Sequence, residues 1–141
     1  MEQLTFPGNL DALEPIRKYV KAAAQSAGLD RKAVYKLCLA VDEIATNVAL
    51  YGYEEAGLSG DFKIEASVDG DSLVIQLEDH GKPYDPNFHV GPDASDLSQP
   101  LETRKVGGLG ILLAQDGVDN LKYSATEQGN VHRFTVRLPG T

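Results

Sequence analysis

The chain has 141 residues, 42% of them hydrophobic and 24% charged, with a formal net charge of -8 at pH 7. That length suits one domain whose core holds without disulfides or a structural metal, and the single cysteine, Cys38, has no internal partner and suits the reducing cytoplasm. The acidic balance counts against direct nucleic-acid binding, no apolar stretch approaches the roughly 20 residues of a membrane helix, and MEQLTFPGNL lacks the plan of a signal peptide, which leaves protein partners or a small ligand.

Residues 9 to 27 read as a helix, with Leu13, Ile16, Val20 and Ala24 at spacings of three and four and Gly28 as the stop. Asp30 is the expected N-cap of a second helix. Its apolar stripe is Val34, Leu37, Val41, Ile44 and Val48, and it ends near Tyr51 and Gly52. FKIEASV at 62 to 68 alternates as a strand does, Asp69-Gly70 signals a hairpin, and LVIQL at 73 to 77 returns antiparallel. Residues 86 to 106 carry three prolines and no period, which in so short a domain reads as a functional loop or lid. GGLG then opens a short helix, ILLAQDGV. LKYSA from 121 and VHRFTVRL from 131 are two further strands, with Gly129-Asn130 assigned to the turn between them. The fold expected is a two-layer α/β (α+β) sandwich, a mixed and mostly antiparallel sheet with helices on one face.

Three groups of residues could carry chemistry. Glu43 and Asn47 lie four apart on the second helix, so their side chains rise from one face, away from the middle of the apolar stripe. Such a pair is ordinarily just a solvated polar face. It is also a hard-metal arrangement, since an amide oxygen suits Mg²⁺ when phosphates supply other ligands and a nearby carboxylate can accept a proton.

Asp79 continues the parity of Leu73, Ile75 and Leu77 and so faces inward if the strand persists, where a carboxylate is costly unless a donor reaches it. An Asp at a turn with its side chain in water is the plain alternative. The exocyclic amine of a purine is a candidate donor, with Gly81 allowing close backbone approach and Pro83 stiffening the exit. Gly107, Gly108, Leu109 and Gly110 precede a helix, where free N–H groups and the helix dipole favour an anion; glycine-rich turns more often serve as simple connectors. His80 reads as exposed, His89 as a residue of the loop, and His132, sharing parity with Phe134, as a cap on the sheet face.

Taken in order, VDEIATN, EDHGKPYDP and GGLGILL resemble the three boxes of the GHKL ATPase superfamily, and within it the small anti-sigma-factor serine/threonine protein kinases of bacteria. The resemblance spans about residues 10 to 138. It implies ATP and Mg²⁺ as cofactors, with Asn47 on the metal, Glu43 as general base toward a serine hydroxyl, and Asp79 accepting from adenine beside Gly81. Gly108, Leu109 and Gly110 would lie against the phosphates with Lys105 as a further contact, beneath a lid over residues 86 to 106. It also implies a STAS-type anti-anti-sigma protein as substrate, a sigma factor or similar regulator as second partner, and homodimer formation. Two departures stand out: Tyr51-Gly52-Tyr53 replaces the usual His-Gly-Tyr, and Gly129-Asn130 replaces the usual Gly-Thr. The alternative function is an ATP-dependent partner-binding module without phosphotransfer.

Overall fold

The computed structural model describes residues 1–83, 118–127 and 129–139. The loop over 86 to 106 and the glycine box, with Lys105, Gly108, Leu109 and Gly110, lie outside the described residues.

Asn9 caps a short 3₁₀ turn, Leu10–Ala12, by accepting from the Asp11 amide, and the chain runs directly into α1, Leu13–Ser26. Pro15 falls in the first turn, where its missing N–H breaks no bond of the helix. Gly28, at φ 89°, ends the segment in a left-handed conformation that a side chain would oppose. Asp30 caps α2, Arg31–Asn47, its Oδ1 accepting from the Ala33 amide at 2.8 Å. The expected stripes are the buried ones: Ile16, Val20 and Ala24 of α1 and Val34, Leu37, Val41 and Ile44 of α2 belong to one core.

The second helix does not stop at Asn47. It widens into a π-helical turn, Val48–Glu54, in which the Glu55 amide reaches back five residues to the Leu50 carbonyl at 2.8 Å.

Five strands follow the order β1-β2-β3-β5-β4, and each of the four pairings is antiparallel. They are β1 (Leu4–Pro7), β2 (Asp61–Asp69), β3 (Ser72–Asp79), β4 (Asn120–Thr126) and β5 (Gly129–Arg137). The expected sandwich is thus present, and its sheet is antiparallel throughout the described pairings.

The edge strand β1 had no sequence signal: four residues ending in proline make no period, and Pro7 is tolerated because an edge leaves its side unpaired. The β2–β3 hairpin closes on the pair Asp69↔Ser72, so its turn residues are Gly70-Asp71, one step later than the Asp69-Gly70 signal, with Gly70 at φ 62°. Gly129 and Asn130 belong to β5 rather than to the preceding turn. Pairing to β3 through Asp79↔Asn130 starts the strand there.

One sheet face meets the helices. Across it run rows of neighbours set by register: Ala66, Ile75, Phe134 and Leu121, then Ile64, Leu77, His132 and Tyr123, then Phe62, Asp79, Asn130 and Ala125. The first row is wholly apolar and buried. Polarity enters only toward the end where β3 leaves the sheet. Among the described residues no helix is long and apolar enough to cross a membrane.

Candidate functional site

Two contacts hold the exit of β3 against the π-helical turn, and a third ties the start of β2 to it. The Tyr53 hydroxyl donates to the Asp61 carbonyl and accepts from the His80 amide, both at 2.7 Å, and the Lys82 amide donates to the Gly52 carbonyl at 2.8 Å. Tyr53 itself is buried edge-on against Phe62, and burial raises its hydroxyl pKa. Gly81 is pressed so closely on this turn that a Cβ there would lie 2.7 Å from the Gly52 carbonyl oxygen, backbone that has no room to yield. Glycine at 81 is therefore required by the packing of chain on chain, before any ligand is considered.

Asp79 faces inward, as strand parity predicts, and is 1% exposed. Its Oδ1 accepts from the Gly81 amide at 2.9 Å and from Asn130 Nδ2 at 2.8 Å. Part of the donor requirement is thus met within the chain. Asn130 completes its own set by donating to the Gly81 carbonyl at 3.0 Å and accepting from the Tyr123 hydroxyl at 2.8 Å. Oδ2 of Asp79 remains buried without a hydrogen-bond partner, and the nearest polar group described for it is His132 Nε2 at 3.4 Å.

At the helix end, Asn47 is 4% exposed and Glu43 is half-buried, so this pair is not the solvated face that such spacing usually marks. Asn47 Nδ2 donates to Glu43 Oε1 at 3.3 Å. Burial pushes the Glu43 carboxyl above the usual carboxylate range, with the Asn47 hydrogen bond pulling the other way and the charge of Asp42 adding to the rise. With the amine of Asn47 committed to Glu43, its amide oxygen is the group a cation could take. The described residues hold no cluster of three or more His, Cys, Asp or Glu side chains suited to a metal. A cation here would complete its shell from phosphate and water, as Mg²⁺ commonly does.

The structure therefore groups Glu43 with Asn47 and Asp79 with Gly81, and joins the two pairs through the turn that extends α2. Two departures from the familiar motif have distinct fates. Tyr51 is exposed, whereas Asn130 is buried and bonded to Asp79. His80 is exposed as expected. His132 caps nothing: it is 0% exposed, inside the helix-facing surface beside Asp79. Sequence reasoning missed Asn130, His132 and Tyr123 as a set. Extending the parity of Phe134 and Val136 back to positions 132 and 130 is the signal that finds the first two.

Comparisons with known proteins bear on the family and the fold. The family profile described as Histidine kinase-like ATPase domain matches residues 6–136. Among similar proteins are Serine-protein kinase RsbW of Halalkalibacterium halodurans, 26% identical over 121 residues with 85% of this chain and 73% of the relative covered, and that of Bacillus cereus, 26% identical over 128 residues with 89% and 78% covered.

Solved structures similar in fold include the RsbU and RsbW domains of a Mycobacterium tuberculosis protein, at TM-score 0.66 and 16% identity, matching all of this chain and 34% of that one. The histidine kinase domain of the Erythrobacter litoralis blue-light activated histidine kinase matches at TM-score 0.55 and 15% identity, over 91% of this chain and 60% of that one. With 131 consecutive positions, from 6 to 136, matched by one profile, the chain belongs to the histidine kinase-like ATPase domain family.

Proposed function

We propose that this protein binds ATP with Mg²⁺ between the end of β3 and the end of α2. It would transfer the γ-phosphate to a serine of a STAS-type anti-anti-sigma protein while also holding a sigma factor or similar regulator. The observation that carries the reading is the unsatisfied Oδ2 of the fully buried Asp79. A buried carboxylate oxygen without a donor is costly, and an adenine amine is a donor of the right kind at the place where the family binds its base. The RsbW relatives support the choice of reaction, since they are named serine-protein kinases.

In this reading Asp79 orients the base and Asn47 offers its amide oxygen to Mg²⁺, which when bound neutralises phosphate charge. Glu43 acts on the protein substrate: its carboxylate accepts the serine proton as the serine oxygen bonds to the γ-phosphorus and the bond to the ADP oxygen breaks. A carboxyl raised by burial is a stronger base than an exposed one, which suits that role. Lys105, Gly108, Leu109 and Gly110 are proposed as phosphate contacts on their sequence positions.

The test is incubation with γ-labelled ATP, Mg²⁺ and the antagonist encoded nearest to this protein, for wild type and Glu43→Ala. Label on an antagonist serine, reduced by about 10² to 10⁴ in rate in the variant, is expected for loss of a general base. ATP binding by wild type with no label on the antagonist would instead make the protein a nucleotide-dependent binding module.

A further inference from the structure

His132 has no part in the mechanism above, yet its surroundings are unusual. It lies on β5 two residues beyond Asn130, opposite Leu77, and is 0% exposed. Neither ring nitrogen has a hydrogen-bond partner, and neither does Asp79 Oδ2, 3.4 Å from Nε2. A histidine that merely fills a core has its polar atoms satisfied by neighbours. Here two unsatisfied buried groups of complementary chemistry face each other, one able to donate and one able only to accept.

The rest of the cluster fixes which atom does what. The Tyr123 ring packs on the imidazole, with centroids 5.2 Å apart, and the Tyr123 hydroxyl donates to Asn130 Oδ1, whose Nδ2 donates to Asp79 Oδ1. A proton on Nε2 would close this chain of contacts into a ring of four residues after an approach of about 0.5 Å, the difference between 3.4 Å and an ordinary N–H···O length. A proton on Nδ1 alone would leave Nε2 and Oδ2 as two acceptors in contact.

We infer that His132 is a positioning residue for Asp79. Its Nε2–H donates to Oδ2 and holds the carboxylate with Oδ1 turned to Gly81 and Asn130. A carboxylate oxygen accepts more than one hydrogen bond, so Oδ2 keeps a lone pair for the amine of a 6-aminopurine. His132 thereby sharpens the preference of the pocket for 6-amino over 6-oxo purines. The inference rests on the reading of Asp79 as the base acceptor.

The measurement is ATP and inosine triphosphate affinity, by calorimetry, for wild type, Asp79→Asn, His132→Leu, His132→Asn and His132→Gln, with thermal melting of each. A Gln amide nitrogen reaches the place of Nε2, whereas an Asn amide reaches only that of Nδ1. His132→Leu and His132→Asn should weaken ATP roughly ten- to a hundredfold and reduce its advantage over inosine triphosphate, while His132→Gln stays within about threefold of wild type, as the worth of a hydrogen bond to a charged group requires.

The ATP turnover number at saturating ATP should not change in any His132 variant. His132→Leu binding as wild type does, or Gln and Asn behaving alike, overturns the role of His132. If wild type fails to bind ATP, or Asp79→Asn binds as well as wild type, the base-binding reading itself falls and this inference with it. Should the variants fail to fold, imidazole ¹⁵N NMR of wild type decides: Nε2 must carry a proton, and an unprotonated Nε2 overturns the inference.

Discussion

Toward its two ends the helix-facing sheet surface buries side chains of opposite chemistry. At one end Ala66, Ile75, Phe134 and Leu121 form a row that gains from leaving water. At the other, Asp79, Asn130 and His132 occupy the same depth, bound to one another and still short of partners. The first arrangement stabilises the fold and the second costs it free energy. In the proposed function, that cost is offset when the cluster receives a donor from the bound nucleotide.

The contrast can be broken by substitutions at each end. Phe134→Ala should cost about 3–5 kcal/mol of stability, read by urea denaturation, with ATP affinity of the folded fraction little changed. Asp79→Ala should do the reverse. In the absence of ligand its stability loss should be the smaller of the two, about 1–3 kcal/mol for the Gly81 and Asn130 donors left without Oδ1, but the roughly 2.7 kcal/mol that ATP at 100 times its Kd would add should disappear. Equal losses of stability at the two positions, with ATP protection intact in Asp79→Ala, would erase the distinction between the ends.

Tyr53→Phe probes the link between the polar end and α2. Loss of the hydroxyl strands the Asp61 carbonyl and the His80 amide, at an expected cost of about 1–3 kcal/mol. The smallest effect is that of Glu43. Because its carboxyl is raised in the folded protein, the folded state holds that proton to higher pH than the unfolded chain does. Its contribution is therefore fully present below the usual value of 4.5 and is lost as pH rises through the folded value. Glu43→Gln should flatten this part of the stability curve above the usual carboxylate value of 4.5, with no gain at the acid side.

How far the sequence alone reached depended on how each feature is encoded. Both helices were legible because their stripes repeat over many residues and Asp30 and Gly28 punctuate them. The inward turn of Asp79 followed from parity alone. The first strand was invisible because four residues carry no period, and its pairing with β2 is a tertiary fact. Asn130 was misread because Gly-Asn is a turn signal. Tertiary pairing to Asp79 overrode that local preference, as neighbours in a sheet commonly do. The extension of α2 as a π-helix had no signal in composition, since its cause is the demand that β3 and its exit place on Gly52 and Tyr53.

That wider turn amounts to a single added residue in the wall of a helix. Removing one residue between 48 and 52 would restore a regular helix, yet it would turn the Gly52 carbonyl away from the Lys82 amide. The same deletion would swing Tyr53 about 100° around the axis, away from Asp61 and His80. Chain length is thus as constrained here as residue identity: the segment from Asn47 to Gly52 works as a fixed-length spacer, and insertions or deletions within it should be far less tolerated than substitutions at its exposed positions.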